Sequence, residues 1–275
     1  MLTETFHSIV TAARRVFANW RALLLLALVY AALLAALYFF VAVREASVAQ
    51  VALTFVLAIV APLLFFVLQS MVMSQTDELP VSQLMKRSLA SFWKLILISL
   101  PLIALAILIA YLLGKWQNHL AANLSSPTDE LARSLNEAAN TPRGASRPIN
   151  WKVAMLSTVR YLAFGLVLPL AAIHLWLATA HEGLGAAVRK LRTHLARAFA
   201  PQSVLIYIAG FLIFGVVPYF LLFRTTQTKH AWIEVLLLAT RLVVVFALTL
   251  FGWVVTVRAL AHFSAAPAEP ANEAA

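Results

Sequence analysis

Apolar positions run along this chain in long, nearly charge-free blocks, broken by short polar stretches. Six blocks stand out: residues 22–43, 51–73, 95–113, 161–180, 204–223 and 235–257. A bilayer core of ~30 Å needs about 20 apolar residues at 1.5 Å each in a helix. Each block meets that length, and none alternates as a strand would. The pattern therefore predicts an all-α, polytopic membrane helix bundle with six spans. Arg14, Arg15 and Arg21 precede the first block and the small-residue run 47–50 follows it, which is the outline of a signal peptide. The block is too long for a signal h-region of roughly 7 to 15 residues, so it reads as a retained helix.

Between the blocks the polar residues are not random. Residues 181–201 carry Arg189, Lys190, Arg192 and Arg197, and on a helix Leu184, Val188, Leu191, Leu195 and Phe199 form one stripe while Arg189, Lys190, Thr193, His194 and Arg197 occupy the other face. Residues 181–201 thus read as a basic amphipathic helix lying in a membrane interface. Its stripe would meet either acyl chains or the ends of the bundle, and its cations, lipid phosphates. Residues 77–94 repeat the pattern, with Val81, Leu84, Met85, Leu89 and Phe92 on one face and Lys86, Arg87 and Lys94 on the other. Pro80 suits a first helical turn, and Trp93 an interfacial level. The unit span, basic helix, span occurs twice in the same direction, the outline of a parallel internal repeat.

Charge adds orientation. The chain carries 21 Lys and Arg against 11 Asp and Glu. If the N-terminus is cytoplasmic, both basic helices, Arg14, Arg15, Arg21 and Arg258 fall inside. Most of the outward cations then lie in the long 114–160 connection, diluted by Asp129, Glu130 and Glu137. The positive-inside bias therefore places both termini in the cytoplasm of a bacterial inner membrane. The net charge of +10 finds its partner in anionic lipid headgroups and calls for no nucleic acid. A protein partner or a homo-oligomer stays open. Within the outer connection 114–150, Ser126 and Pro127 can start a short helix that ends near Asn140. The Ala, Pro and Glu tail at 264–275 reads as disordered. The chain has no cysteine, so disulfides and thiolate metal sites are excluded.

The opening AARRVFANWRALLLLALVYAALLAAL resembles that of bacterial six-helix proteins similar to the membrane domain attached to some glycerophosphodiester phosphodiesterases. The placement of DELPVSQLMKRSLASFWKLILISL and HEGLGAAVRKLRTHLARAFAPQSVLIYI after the second and fourth spans is similar too. The resemblance covers most of residues 5–262 and rests on membrane-fold patterns, not on catalytic signatures. No soluble catalytic domain lies in the chain, so the resemblance implies a fold and a plasma-membrane address, and not an activity.

Candidate chemistry is sparse. HEGLG at 181–185 begins like the zinc-protease H-E-x-x-H, but its fifth position is Gly185. His174 and His181 share a helix face about 10 Å apart, too far to hold a metal alone. There is no phosphate loop and no nucleophile elbow, so no catalytic residue, cofactor or metal is expected. Three polar residues inside spans remain: Gln69, His174 and Arg241. Intramembrane polar groups are functional candidates by default. The plainer account has Arg241 snorkelling to the interface and His174 as a neutral ring bonded to a neighbouring helix. Pro62, Pro101, Pro169 and Pro218 supply kinks and no ligands. The leading expectation is a non-enzymatic, lipid-facing or partner-binding membrane scaffold. The alternative is a secondary transporter or channel-like protein, which requires Gln69, His174 and Arg241 to converge on one cavity.

Overall fold

The structure, a computed structural model, describes residues 2–43, 47–75, 80–122, 151–224 and 230–265. The short helix expected at 126–140 and the tail beyond Ala265 lie outside the described residues. Among these residues there is helix and no strand. The elements are α1 (Leu2–Ala18), α2 (Trp20–Ala42), α3 (Val48–Ser74), α4 (Val81–Ala122), α5 (Trp151–Leu162), α6 (Leu168–Glu182), α7 (Leu184–Arg189), α8 (Leu191–Ala198), α9 (Pro201–Phe211), α10 (Val217–Phe223) and α11 (Ala231–Ala265). Two π-helical turns join neighbours end to end, π1 (Ala163–Val167) and π2 (Leu212–Val216). Six helical stretches, each covering one sequence block, are long and apolar enough to cross a bilayer. The chain is an all-α, multi-pass membrane protein.

Local chemistry sets the element ends. Asn19 Oδ1 accepts from the Ala22 amide, and Ser47 Oγ from that of Gln50, capping α2 and α3. Pro201 opens α9, where a missing N–H costs nothing. Gly183, at φ +85°, separates α6 from α7 in a backbone region that side chains disfavour. Both π turns end shortly before a proline. Leu168 N–H reaches back five residues to Ala163 O, and Val217 N–H to Leu212 O. Pro169 and Pro218 lack an N–H, and their rings crowd the carbonyl four residues earlier. Widening the preceding turn relieves that crowding.

Two sequence expectations change at this level. Residues 81–94 are not a separate interfacial helix. They are the first turns of the 42-residue α4, because no glycine or proline separates Lys94 from the span that follows. Residues 181–201 are not one amphipathic rod either. Gly183 and a kink at Lys190 divide them into α7 and α8.

The chain forms two compact units, Met1–Ile98 with Leu170–Ala275, and Ser99–Pro169. The first holds the site described below. Its central element is α11, which packs against α1, α3, α9, π2 and α10. Small residues allow that approach. A Cβ on Gly210 would lie 1.9 Å from Thr256 Oγ1, and one on Gly252 would lie 2.9 Å from Phe214 Cβ. Polar ties cross the same unit. Tyr30 Oη and Thr249 Oγ1 are 2.9 Å apart, joining α2 to α11. Ser70 of α3 donates to Ser88 O at 3.1 Å and lies 2.9 Å from Ser91 Oγ on α4. The second unit contains the later part of α4, α5 and π1, with α5 running straight into π1. Large side chains such as Leu28, Phe55 and Ile59 in the first unit, and Ile107 and Tyr111 in the second, are exposed, as a protein solvated by lipid requires.

Candidate functional site, a cationic cavity at the ends of five helices

One end of the first unit encloses a cavity of ≈ 710 Å³. That lies within the range of roughly 300 to 1,000 Å³ usual for small-molecule sites. Five helices and one cap residue build it, each helix with a face at helical spacing. From α1 come His7, Ser8, Thr11, Ala12 and Arg15. From α6 come His174, Leu177, Ala178, His181 and Glu182, spaced 0, 3, 4, 7 and 8. His194 and Arg197 are one turn apart on α8. Val257, Arg258, Ala261 and His262 come from the last turns of α11, and Val72 and Met73 from the end of α3, followed by Gln75 as its cap. Among the described lining residues, three guanidinium groups and five imidazoles thus meet one carboxylate.

That carboxylate is already engaged. Glu182 Oε2 accepts from Lys190 Nζ at 2.9 Å, and its Oε1 lies 3.8 Å from His194 Nε2. Lys190 is well exposed, so the pair is screened and contributes little to stability. It nevertheless engages the negative charge that Glu182 brings to the described lining. Two side chains are buried with polar atoms that have no hydrogen-bond partner among the described residues, Gln75 with both amide atoms and His194 with Nε2. Gln75 is 4% exposed and His194 6%.

His174 sits at the inner wall and is also buried. Its Nδ1 is 3.0 Å from Leu170 O, which can only accept, so Nδ1 carries the proton and the neutral ring presents Nε2 as an acceptor. Ser203 Oγ lies 3.5 Å from that nitrogen and 2.9 Å from Arg197 O. The hydroxyl has one proton for two acceptors, and the shorter contact is with the carbonyl. The Ser203 hydroxyl thus ties α9 to the Arg197 backbone of α8, with His174 Nε2 of α6 beside it behind the cavity wall.

The sequence candidates separate. His174 lines the cavity, and Gln69 and Arg241 do not. Gln69 is buried in α3, where its Oε1 accepts from Trp253 Nε1 of α11 at 3.0 Å, and the Trp253 ring meets that of Phe214 edge-on. Arg241 donates from Nη1 to Arg224 O at the end of α10, a carbonyl left unsatisfied by its own helix. Among the basic residues, Lys86 and Arg87 are exposed, and Lys94 is half-buried with its Nζ 5.9 Å from the Trp93 ring centroid. Arg189, Lys190, Arg192 and Arg197 are all exposed, and Arg197 also reaches the cavity.

His7, Arg15, Gln75, His194, Arg258 and His262 carry much of this site and were not singled out as candidates from the sequence. The available signal was positional: His or Arg recurs within about two turns of several helix ends predicted to share one face of the membrane. Among the described residues no group of three His, Asp or Glu could hold a metal ion, despite the number of imidazoles. No family model, no curated protein and no solved structure matches the chain.

Proposed function

We propose that the protein is a non-enzymatic scaffold of the bacterial inner membrane, with both termini cytoplasmic, that engages anionic lipid through its basic interfacial segments. One observation carries this reading. On α7, α8 and their flanks, apolar and cationic side chains point outward together. Val188, Leu191 and Phe199 are exposed (54%, 40% and 44%), as are Arg189, Lys190 and Arg192. The inward positions are the small Ala187 and Ala198, with His194. Three of the five stripe residues are therefore left facing outward, Leu184 and Leu195 being half-buried. At an interface these three would enter the acyl region while the cations met phosphates, each cation contributing about 1 kcal/mol at low salt. The transporter reading has less support, since it would draw on His174 alone of its three residues.

The test uses a peptide of residues 181–201 with vesicles of neutral lipid and of mixed neutral and anionic lipid. A segment this short is largely unstructured in water. It should become helical on the anionic vesicles, and added salt should weaken binding. Replacing Arg189, Lys190, Arg192 and Arg197 with Gln should nearly abolish the preference for anionic vesicles. Equal binding of the native peptide to both vesicle types would sink the headgroup role.

A further inference from the structure

We infer that the cavity between α1, α3, α6, α8 and α11 is a binding site for a phosphoryl group, presented either by a phospholipid headgroup or by a soluble phosphate monoester. This rests on the cavity's own residues and not on the outward face of α7 and α8. Charge gives the sign of the ligand. Arg15, Arg197 and Arg258 line one space with five imidazoles, and the one carboxylate among the described lining residues, Glu182, is held by Lys190. A cation would find no unengaged carboxylate among the lining residues.

Buried polarity gives the second, independent argument. Gln75 lines the cavity with its amide oxygen and nitrogen both buried and unpartnered among the described residues, and His194 lines it with a buried Nε2 that makes no hydrogen bond there, its nearest acidic oxygen being Glu182 Oε1 at 3.8 Å. Buried polar groups are normally satisfied, and each exception needs an account. A tetrahedral oxyanion provides one. Its oxygens can accept from the Gln75 amide, from an N–H on His194 Nε2 and from guanidinium forks whose planar donors suit phosphate geometry. A carboxylate has fewer oxygens for so many donors. The lining also includes the apolar Val72, Leu177 and Val257, so the phosphate should carry an organic substituent.

The experiment uses the full-length protein in nanodiscs of phosphatidylcholine, with thermal unfolding followed by fluorescence. In one arm glycerol 3-phosphate is titrated in solution, with chloride at equal ionic strength as the control. In the other, phosphatidic acid is incorporated in the disc. A rise in Tm in the first arm assigns the ligand to the soluble pool. A rise in the second arm alone assigns it to lipid. Gln75→Leu and Arg197→Gln should each weaken the responding ligand by about tenfold or more, the loss of one charge-assisted bond. Both variants should keep native elution on size exclusion, Arg197 being exposed and Gln75 being replaced by an apolar group of similar size. Arg192→Gln, on the outward face, should leave this response unchanged while reducing general preference for anionic lipid, so the two readings fail separately. No Tm rise in either arm, or a rise undiminished in both cavity variants, would overturn the assignment.

Discussion

At the scale of single residues, the most constrained positions are the ones with no side chain. Gly210 faces Thr256 so closely that an added methyl would lie within 2.8 Å of three of its atoms. Thr256 is itself buried and bonded to Gly252 O at 2.6 Å, so it has little freedom to turn away. Gly210→Ala should lower stability by about 1 to 3 kcal/mol, the usual range for overpacking. Thr256→Ala in the same chain removes two of the three crowding atoms and should recover part of the loss. Tm of the purified single and double variants in detergent checks both statements, and a Gly210→Ala variant as stable as the parent would contradict the close approach of α9 and α11. Gly183 is constrained differently. Nothing lies within 4 Å of an added Cβ there, and only its positive φ resists substitution. No sequence pattern distinguishes these two kinds of glycine, because crowding is a property of the neighbouring helix.

At the scale of elements, the spans were legible and the faces were not. Charge-free blocks of bilayer length follow from the thickness of the membrane, and all six reappear as helices. In water, hydrophobicity also tells which side of a helix turns inward. In lipid both sides are apolar, and the inward side is marked by small residues and polar partners. The stripe from Leu184 to Phe199 was legible as a stripe, but the side that packs inward is Ala187, His194 and Ala198. On α4 the inward positions include Leu84, Ser88, Leu95 and Ile98, and the Ser88 carbonyl and the Ser91 hydroxyl meet Ser70 across the interface. A double-mutant cycle with Ser70→Ala and Ser91→Ala should return a coupling of about 0.6 kcal/mol, the average for such bonds between membrane helices. A coupling indistinguishable from zero in unfolding titrations would remove that contact from the forces holding α3 to α4.

At the scale of the whole molecule, the cavity explains why its residues were hard to see in sequence. It draws on five helices and a cap from widely separated parts of the chain, each offering only a few polar side chains. Spacing within one helix linked His174 to His181, and nothing short of the fold could add Arg15 or Arg258. The same convergence bears on topology. The end of α11 and α1 line one cavity, so both ends of the described chain lie at one end of the first unit. The proposed orientation makes that end cytoplasmic. The chain has no native cysteine, so a cysteine at Ser125 or Ser264 is unique. An impermeant thiol reagent on intact cells should label the Ser125 position and spare that at Ser264. Labelling at Ser264 without labelling at Ser125 would reverse the orientation and place the cavity on the opposite face.

The two π turns have a bearing on chain length. Relative to an uninterrupted α-helix, each amounts to one inserted residue, taken up locally between Ala163 and Leu168 and between Leu212 and Val217. Removing one residue from an ordinary stretch of span would turn everything beyond it by about 100° and exchange lipid-facing for inward side chains. Removing one from a π turn would return that turn to α geometry with both flanks still facing as they do now. Each of these two spans thus carries one place where a single-residue insertion or deletion between related chains can occur without rewriting the helix face, and an alignment gap there would mark a conserved architecture rather than a divergent one.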